Sequence, residues 1–226
     1  MNKKAVLDLV KARSATKKAI RTAPTRGSKS FGVGLTDLRK LAREIGRDHE
    51  LAKELWQSDI HELRILSLLI DDPKLITREQ VERQVEELDE PILGHVFSSC
   101  DASLSRVPFV VELATDWIDS SDKTRRSCGY GLLSEIAASK KKSAPEDSFF
   151  LGYIDRIGRQ YENKGVVEGA YALLCMGKRN KTLNAAALKV AKKIGPIEYE
   201  SDKKCDPFDV ADHLQKDHLK RRLGIL

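Results

Sequence analysis

The chain has 226 residues, 41% of them hydrophobic, which suffices to bury a core as one domain or one short repeat array and argues against disorder. Its apolar runs are short and soon broken by charge, far below the ~20 residues of a bilayer span, and the basic amino terminus MNKKAVLDLVKARSATKKAIRT lacks the continuous apolar centre of a secretory signal. A soluble, cytoplasmic protein with no membrane partner is expected. The net charge of +6 is unevenly spread: residues 1–48 carry +9, residues 49–122 carry −11 and residues 123–226 carry +8. Two basic flanks suit a polyanion if they build one surface; charge that merely solvates helix backs is the competing reading.

Along the chain, APTRGSKSFGVG (residues 23–34) is rich in Gly, Ser and cations and reads as a loop, either a plain connector or a phosphate contact through Arg26 and Lys29. Helical periodicity then dominates. LTDLRKLAREIG, HELAKELWQS, IHELRILSLLI, REQVERQVEELDE, PFVVELATDWI, RRSCGYGLLSEIA, FFLGYIDRIGRQY, VVEGAYALLCMG and LNAAALKVAKKIG each place apolar residues at three- and four-residue steps. No stretch alternates like a strand. Capping boxes are predicted at Thr77 with Gln80, Ser143 with Glu146, and Asp59 with Glu62, and helix stops at Gly46, Gly177 and Gly195. Short helices joined by short turns suggest stacked antiparallel pairs. The expected architecture is all-α: a HEAT-like helical repeat solenoid, an α-α superhelix, over residues 1–226 as a single repeat domain, with 196–226 as a helical C-terminal extension. Such arrays curve and leave a concave face that commonly binds something extended.

Ordinary catalytic signatures are missing: the sequence holds no Walker-type loop, no GxSxG, no HExxH and no GxGxxG after a strand. Cys100, Cys128, Cys175 and Cys205 form no CxxC pair, so each reads as a packing residue, and neither a zinc site nor a disulfide framework is indicated. Of the five histidines only His95 lies near a candidate site, and a structural role is favoured for it.

Three stretches remain. In HVFSSCDASL, Asp101 is either a cap for the following turn or a carboxylate aimed at a substrate. Were residues 91–105 one helix, Phe97 would share its face. In DKTRRSCGYGLL, Arg125 or Arg126 suits a phosphate or an ion pair equally. In EGAYALLCMGKRNKTLN, Gly169 and Ala170 permit close helix approach, Tyr171 brings an amphipathic ring, and Lys178 and Arg179 gather cations at a helix terminus, where they also complement its dipole.

Taken together these stretches resemble the DNA alkylation repair family, the AlkD-like HEAT-repeat alkylpurine DNA glycosylases. AYALLCMGKRNKTLNAAALKVAKKIG is close to the family's W-A-L-R-x-I-G-K-R-N with its alanine-rich helix. FGVGLTDLRKLAREIG is similar to G-V-x-x-x-x-L-R-x-L-A, ELWQSDIHELRILSLLIDD to L-W-x-S-x-x-x-E-x-R-x-x-A, and TRRSCGYGLLSEIA to R-R-A-x-x-x-L. The ordered matches run from about residue 31 to residue 195. The resemblance implies a monomeric repair enzyme that holds alkylated double-stranded DNA in a basic groove on its concave face and hydrolyses the N-glycosidic bond of N3- or N7-alkylated purines without metal or cofactor. It implies that Asp101, last residue of the family's W-D-x-C-D written here FSSCD, steadies the sugar cation, with Arg126, or Arg125 after a one-residue shift, beside it. Phe97, Tyr171, Lys178 and Arg179 would contact lesion or backbone. Phe97 and Tyr171 stand where the family has tryptophan, and Ser98 where it has an aspartate. The alternatives are a relative that binds damaged or branched DNA without cutting it, and a protein-binding helical scaffold.

Overall fold

A computed structural model describes residues 1–14, 29–140, 144–162, 169–197 and 206–226. Among these residues the chain forms α1 (Lys3–Ser14), α2 (Leu35–Ile45), α3 (His49–Trp56), α4 (His61–Ile70), α5 (Arg78–Glu86), α6 (Pro91–Ser98), a 3-10 turn (Ser103–Arg106), α7 (Val110–Asp119), α8 (Lys123–Ala138), α9 (Asp147–Glu162), α10 (Ala170–Gly177), α11 (Lys181–Ile194), α12 (Val210–Gln215) and α13 (Asp217–Arg222). The only β pairings among the described residues are two isolated bridges, so the fold is all-α as the periodicity requires. The chain divides into two compact units, Met1–Leu113 and Ala114–Leu226.

In the first unit α4 is central: all ten of its residues are buried, and it packs against α2, α3 and α6. Burying each large apolar side chain contributes about 1.5–3 kcal/mol, but HELRILSLLI also carries three ionisable groups inward. A buried charge is tolerated only when partnered. Glu62 Oε1 accepts from Ser30 Oγ at 2.8 Å and from the amides of Phe31 at 2.8 Å and Val33 at 3.2 Å. Arg64 lies over the Trp56 ring at 4.6 Å, donating to Asp89 and to the Glu87 carbonyl at 2.7 Å each. His61 Nδ1 lies 2.6 Å from Glu90 Oε2. The L-W-x-S-x-x-x-E-x-R stretch is thus a packing device, its Ser58 hydroxyl accepting from the Ile60 amide at 3.2 Å.

In the second unit α8 packs on α10, and α11 on both α9 and α10. Close approach fixes two glycines there. A Cβ on Gly169 would lie 2.8 Å from Ile157, and one on Gly177 would lie 2.7 Å from Leu214 and 2.9 Å from the Ala187 Cβ.

The terminal signals divide accordingly. Thr77 caps α5 through the Gln80 amide, and Gly46 and Gly195 close α2 and α11 at φ 81° and 72°. Gly177 does not have the positive φ expected of a stop; its small size serves packing. The Asp59–Glu62 box does not form, because Glu62 is drawn inward by the 30–33 amides while Asp59 pairs with Lys29 at 2.8 Å. Ser143, Arg26 and Cys205 lie outside the described residues.

Candidate functional site

Helix α6 starts on Pro91 and stops at Ser98, well short of residue 105. Beyond it Cys100 and Asp101 both take left-handed backbone, φ 61° and 64°, the only non-glycine residues among those described to do so. For L-residues that conformation costs about 1–2 kcal/mol each. The reversal separates two side chains that one continuous helix would have aligned. Phe97 is 1% exposed inside the core, whereas the Asp101 side chain is 72% exposed. Nor does Asp101 cap the next turn, which follows Ala102 and has no side-chain cap. The carboxylate therefore faces solvent without the local duty that would explain it.

What it faces is cationic. A cavity of about 450 Å³ in the first unit is walled by Arg39, Arg43, Arg47, Arg106 and Asp101 over a floor that includes Ala42 and Leu69. Arg39 and Arg43 stand one turn apart on α2, with Arg43 Nε donating to the Arg39 carbonyl at 3.2 Å. The left-handed Gly46 then turns the chain, so Arg47 reaches across the end of α4. Its Nη1 donates to the carbonyls of Leu69 at 3.0 Å and Asp71 at 2.7 Å, and to the Ser103 hydroxyl. Burial, then the charge of Arg106, lowers the pKa of Arg47 below the ordinary guanidinium value. Arg106 Nη2 stands 3.8 Å from Asp101 Oδ1.

Two further features fix the cavity's chemistry. Behind Arg47, Asp71 is held by His49 at 2.6 Å and Gln80 at 2.8 Å while burial raises its pKa, and its carbonyl also accepts from Ser103 at 2.7 Å. In the wall, Arg39 Nε is buried without a hydrogen-bond partner. An unmet buried donor costs about 1–3 kcal/mol. Four guanidiniums against one carboxylate form a site for a polyanion rather than for a cation. Sequence reasoning did not single out these arginines, although Arg39, Arg43 and Arg47 recur every four residues in LRKLAREIGR. Arg106 carried no such signal.

The remaining expected residues fall in the second unit. Arg126 Nη1 donates to the carbonyls of Ser120 at 3.1 Å and Ser121 at 2.6 Å, closing the turn after α7, while the Arg125 amide donates to Asp122, the cap of α8. Arg179 performs the same service for α8, donating to Ala137 at 2.7 Å and Ser139 at 3.1 Å with its guanidinium 4.4 Å above the Phe150 ring. Lys178 follows the last turn of α10, and Tyr171 is 56% exposed. Lys29 is paired with Asp59. Cys128 and Cys175 are buried, and burial pushes the Cys175 thiol up to about 11. Among the described residues no three metal-ligating side chains converge, and no helix is long and apolar enough to cross a membrane.

Comparison with known proteins adds three findings. The family model described as DNA alkylation repair enzyme matches residues 7–150. An uncharacterized protein of Listeria innocua serovar 6a and another of Listeria monocytogenes serovar 1/2a are each 24% identical over 189 residues, 82% of either chain. A solved structure from a new family of proteins related to the HEAT-like repeat DNA glycosylases, with affinity for branched DNA structures, superposes with a TM-score of 0.79 at 21% identity, covering 99% of this chain and 97% of that one. The fold is therefore HEAT-like.

Proposed function

The chain belongs to the DNA alkylation repair enzyme family, and from that premise we propose that it is a DNA-binding repair protein that grips the phosphate backbone of duplex or branched DNA in the arginine cavity. The supporting observation is the charge of that cavity, four guanidiniums around one exposed carboxylate. The guanidiniums of Arg39, Arg43 and Arg106 present planar groups suited to phosphate oxygens, and each phosphate neutralised releases counterions. Arg47 is braced by three bonds from one nitrogen, so that part of the wall is set before DNA arrives. The protein with affinity for branched DNA shares this fold, which adds to the reading without deciding it. Titrating binding of duplex and four-way-junction DNA against salt tests it. Affinity that falls steeply with salt supports backbone contact, and affinity indifferent to salt removes it.

Base release is the second reading, favoured by Asp101. What supports this reading is a carboxylate 72% exposed on a left-handed corner in the wall of the arginine cavity. As the bond to an N3- or N7-alkylated purine breaks, a fixed anion lowers the energy of the developing oxocarbenium. This chemistry needs no metal or cofactor. With Phe97 inside the core, that ring does not serve as a platform for the base. The test is release of methylated purines from alkylated DNA: release abolished in Asp101→Asn supports hydrolysis, and equal release from both proteins excludes it.

A further inference from the structure

The corner that exposes Asp101 also assembles a second group of side chains, His95, Ser99 and Cys100, which contact one another in turn. The Ser99 hydroxyl, 5% exposed as a residue, donates to the His95 carbonyl at 2.5 Å, so its oxygen meets His95 Nδ1 at 3.3 Å as an acceptor. In the tautomer with its proton on Nδ1, the ring keeps its lone pair on Nε2. Nε2 in turn lies 3.2 Å from Cys100 Sγ. A nucleophile, a base within hydrogen-bond reach and a third group that orients the base make the arrangement of an activated thiol. Cys100 is partly exposed, unlike the buried Cys128 and Cys175, and it takes the left-handed backbone that presents the corner.

Chemistry in the neighbourhood narrows the substrate. Cys100 immediately precedes Asp101, a residue of the cavity wall, and the charge of Arg39, another wall residue, acts on His95. Burial and then Arg39 lower the His95 pKa below 6.5, so at neutral pH the imidazole is uncharged and ready to accept a proton. A thiolate made beside arginines attacks soft alkyl carbon best where the leaving group becomes an anion that those arginines stabilise.

We propose that Cys100 is an acceptor for alkyl groups carried on DNA phosphate, with His95 as its base and Ser99 as a positioning residue. This rests on the cavity's holding the DNA backbone. The thiol proton passes from Sγ to His95 Nε2. The sulfur electron pair forms the S–C bond to a methyl carbon of a phosphotriester, the C–O bond breaks, and its electron pair stays on the phosphate oxygen. The product is an ordinary phosphodiester, held by the cavity arginines, beside S-methylcysteine. His95 returns its proton to solvent. The reaction consumes the thiol, so each chain acts once.

The full chain is incubated with a duplex carrying one methyl phosphotriester; gel shift follows binding, and intact mass with peptide mapping follows the protein. The expected result is a mass gain of CH2 on the peptide bearing Cys100, absent in Cys100→Ser. In parallel, iodoacetamide should label Cys100 about 100-fold more slowly in His95→Ala, and Ser99→Ala should slow labelling while Ser99→Thr restores it. DNA that binds while Cys100 stays unmethylated overturns the proposal and leaves backbone binding standing. DNA that does not bind overturns both. An iodoacetamide rate unchanged by His95→Ala overturns the activation of the thiol.

Discussion

Arg106 Nη2 stands 3.8 Å from Asp101 Oδ1, within reach for an ion pair and beyond a good hydrogen bond. Both side chains are largely exposed, so solvent screens the pair and it holds neither partner firmly. Each remains available to a ligand. Asp101→Asn should therefore leave folding unchanged, since asparagine accepts left-handed backbone readily, and should strengthen DNA binding at low salt by about 1 kcal/mol or less. Thermal melts and binding isotherms check both. Base release, if Asp101 drives it, is lost in the same variant.

Removing one cavity arginine should weaken binding to all DNA sequences alike. Arg39→Gln or Arg43→Gln should each flatten the slope of log affinity against log salt by about 0.9 for a contact to duplex phosphate. Isotherms at several salt concentrations give the slope directly.

Glu62 offers a stability test away from the cavity. Its Oε1 accepts three bonds from residues 30–33 inside the first unit. Glu62→Ala strands those donors and should cost about 3 kcal/mol, whereas Glu62→Gln keeps an acceptor oxygen and should cost less. Urea unfolding measures both.

The close contact at Gly177 predicts a contrast with Gly152. Alanine at 177 drives a Cβ against Leu214 and Ala187 and should cost about 1–3 kcal/mol. Alanine at 152, in α9 with nothing within 4 Å of its Cβ, should instead stabilise by about 0.5–1 kcal/mol. Melting curves of the two variants should move in opposite directions.

The lowered pKa of His95, caused by burial and then by Arg39, has a definite sign in stability. Below 6.5 the unfolded chain binds this proton before the folded one does. The contribution of His95 is therefore complete above pH 6.5 and is lost as pH falls through the folded pKa. An NMR titration should place the His95 midpoint below 6.5, and Arg39→Gln should move it upward.

Helices were legible in this sequence because amphipathic spacing is local, and among the described residues each predicted stretch is helical to within a few residues of its ends. The fate of HVFSSCDASL was not. Periodicity carries Phe97 and Asp101 onto one face, but it cannot register the left-handed turn at Cys100 and Asp101 that parts them. Three of the cavity arginines were visible as a four-residue recurrence, yet nothing local joins Arg106 to them, since the junction is made through the end of α4. Arg126 and Arg179 show the converse. Their cationic surroundings suggested ligands, whereas in the fold their guanidiniums donate to carbonyls at helix ends.

The most direct test is to replace Arg39, Arg43 and Arg106 together by glutamine and to measure DNA affinity across a salt series beside the unaltered protein. A cavity that holds phosphate predicts affinity lost at every salt concentration and a slope reduced by between two and three contacts' worth, about 0.9 each, with the fold intact by circular dichroism. Unchanged affinity and slope in the folded triple variant would contradict the assignment of this cavity to DNA.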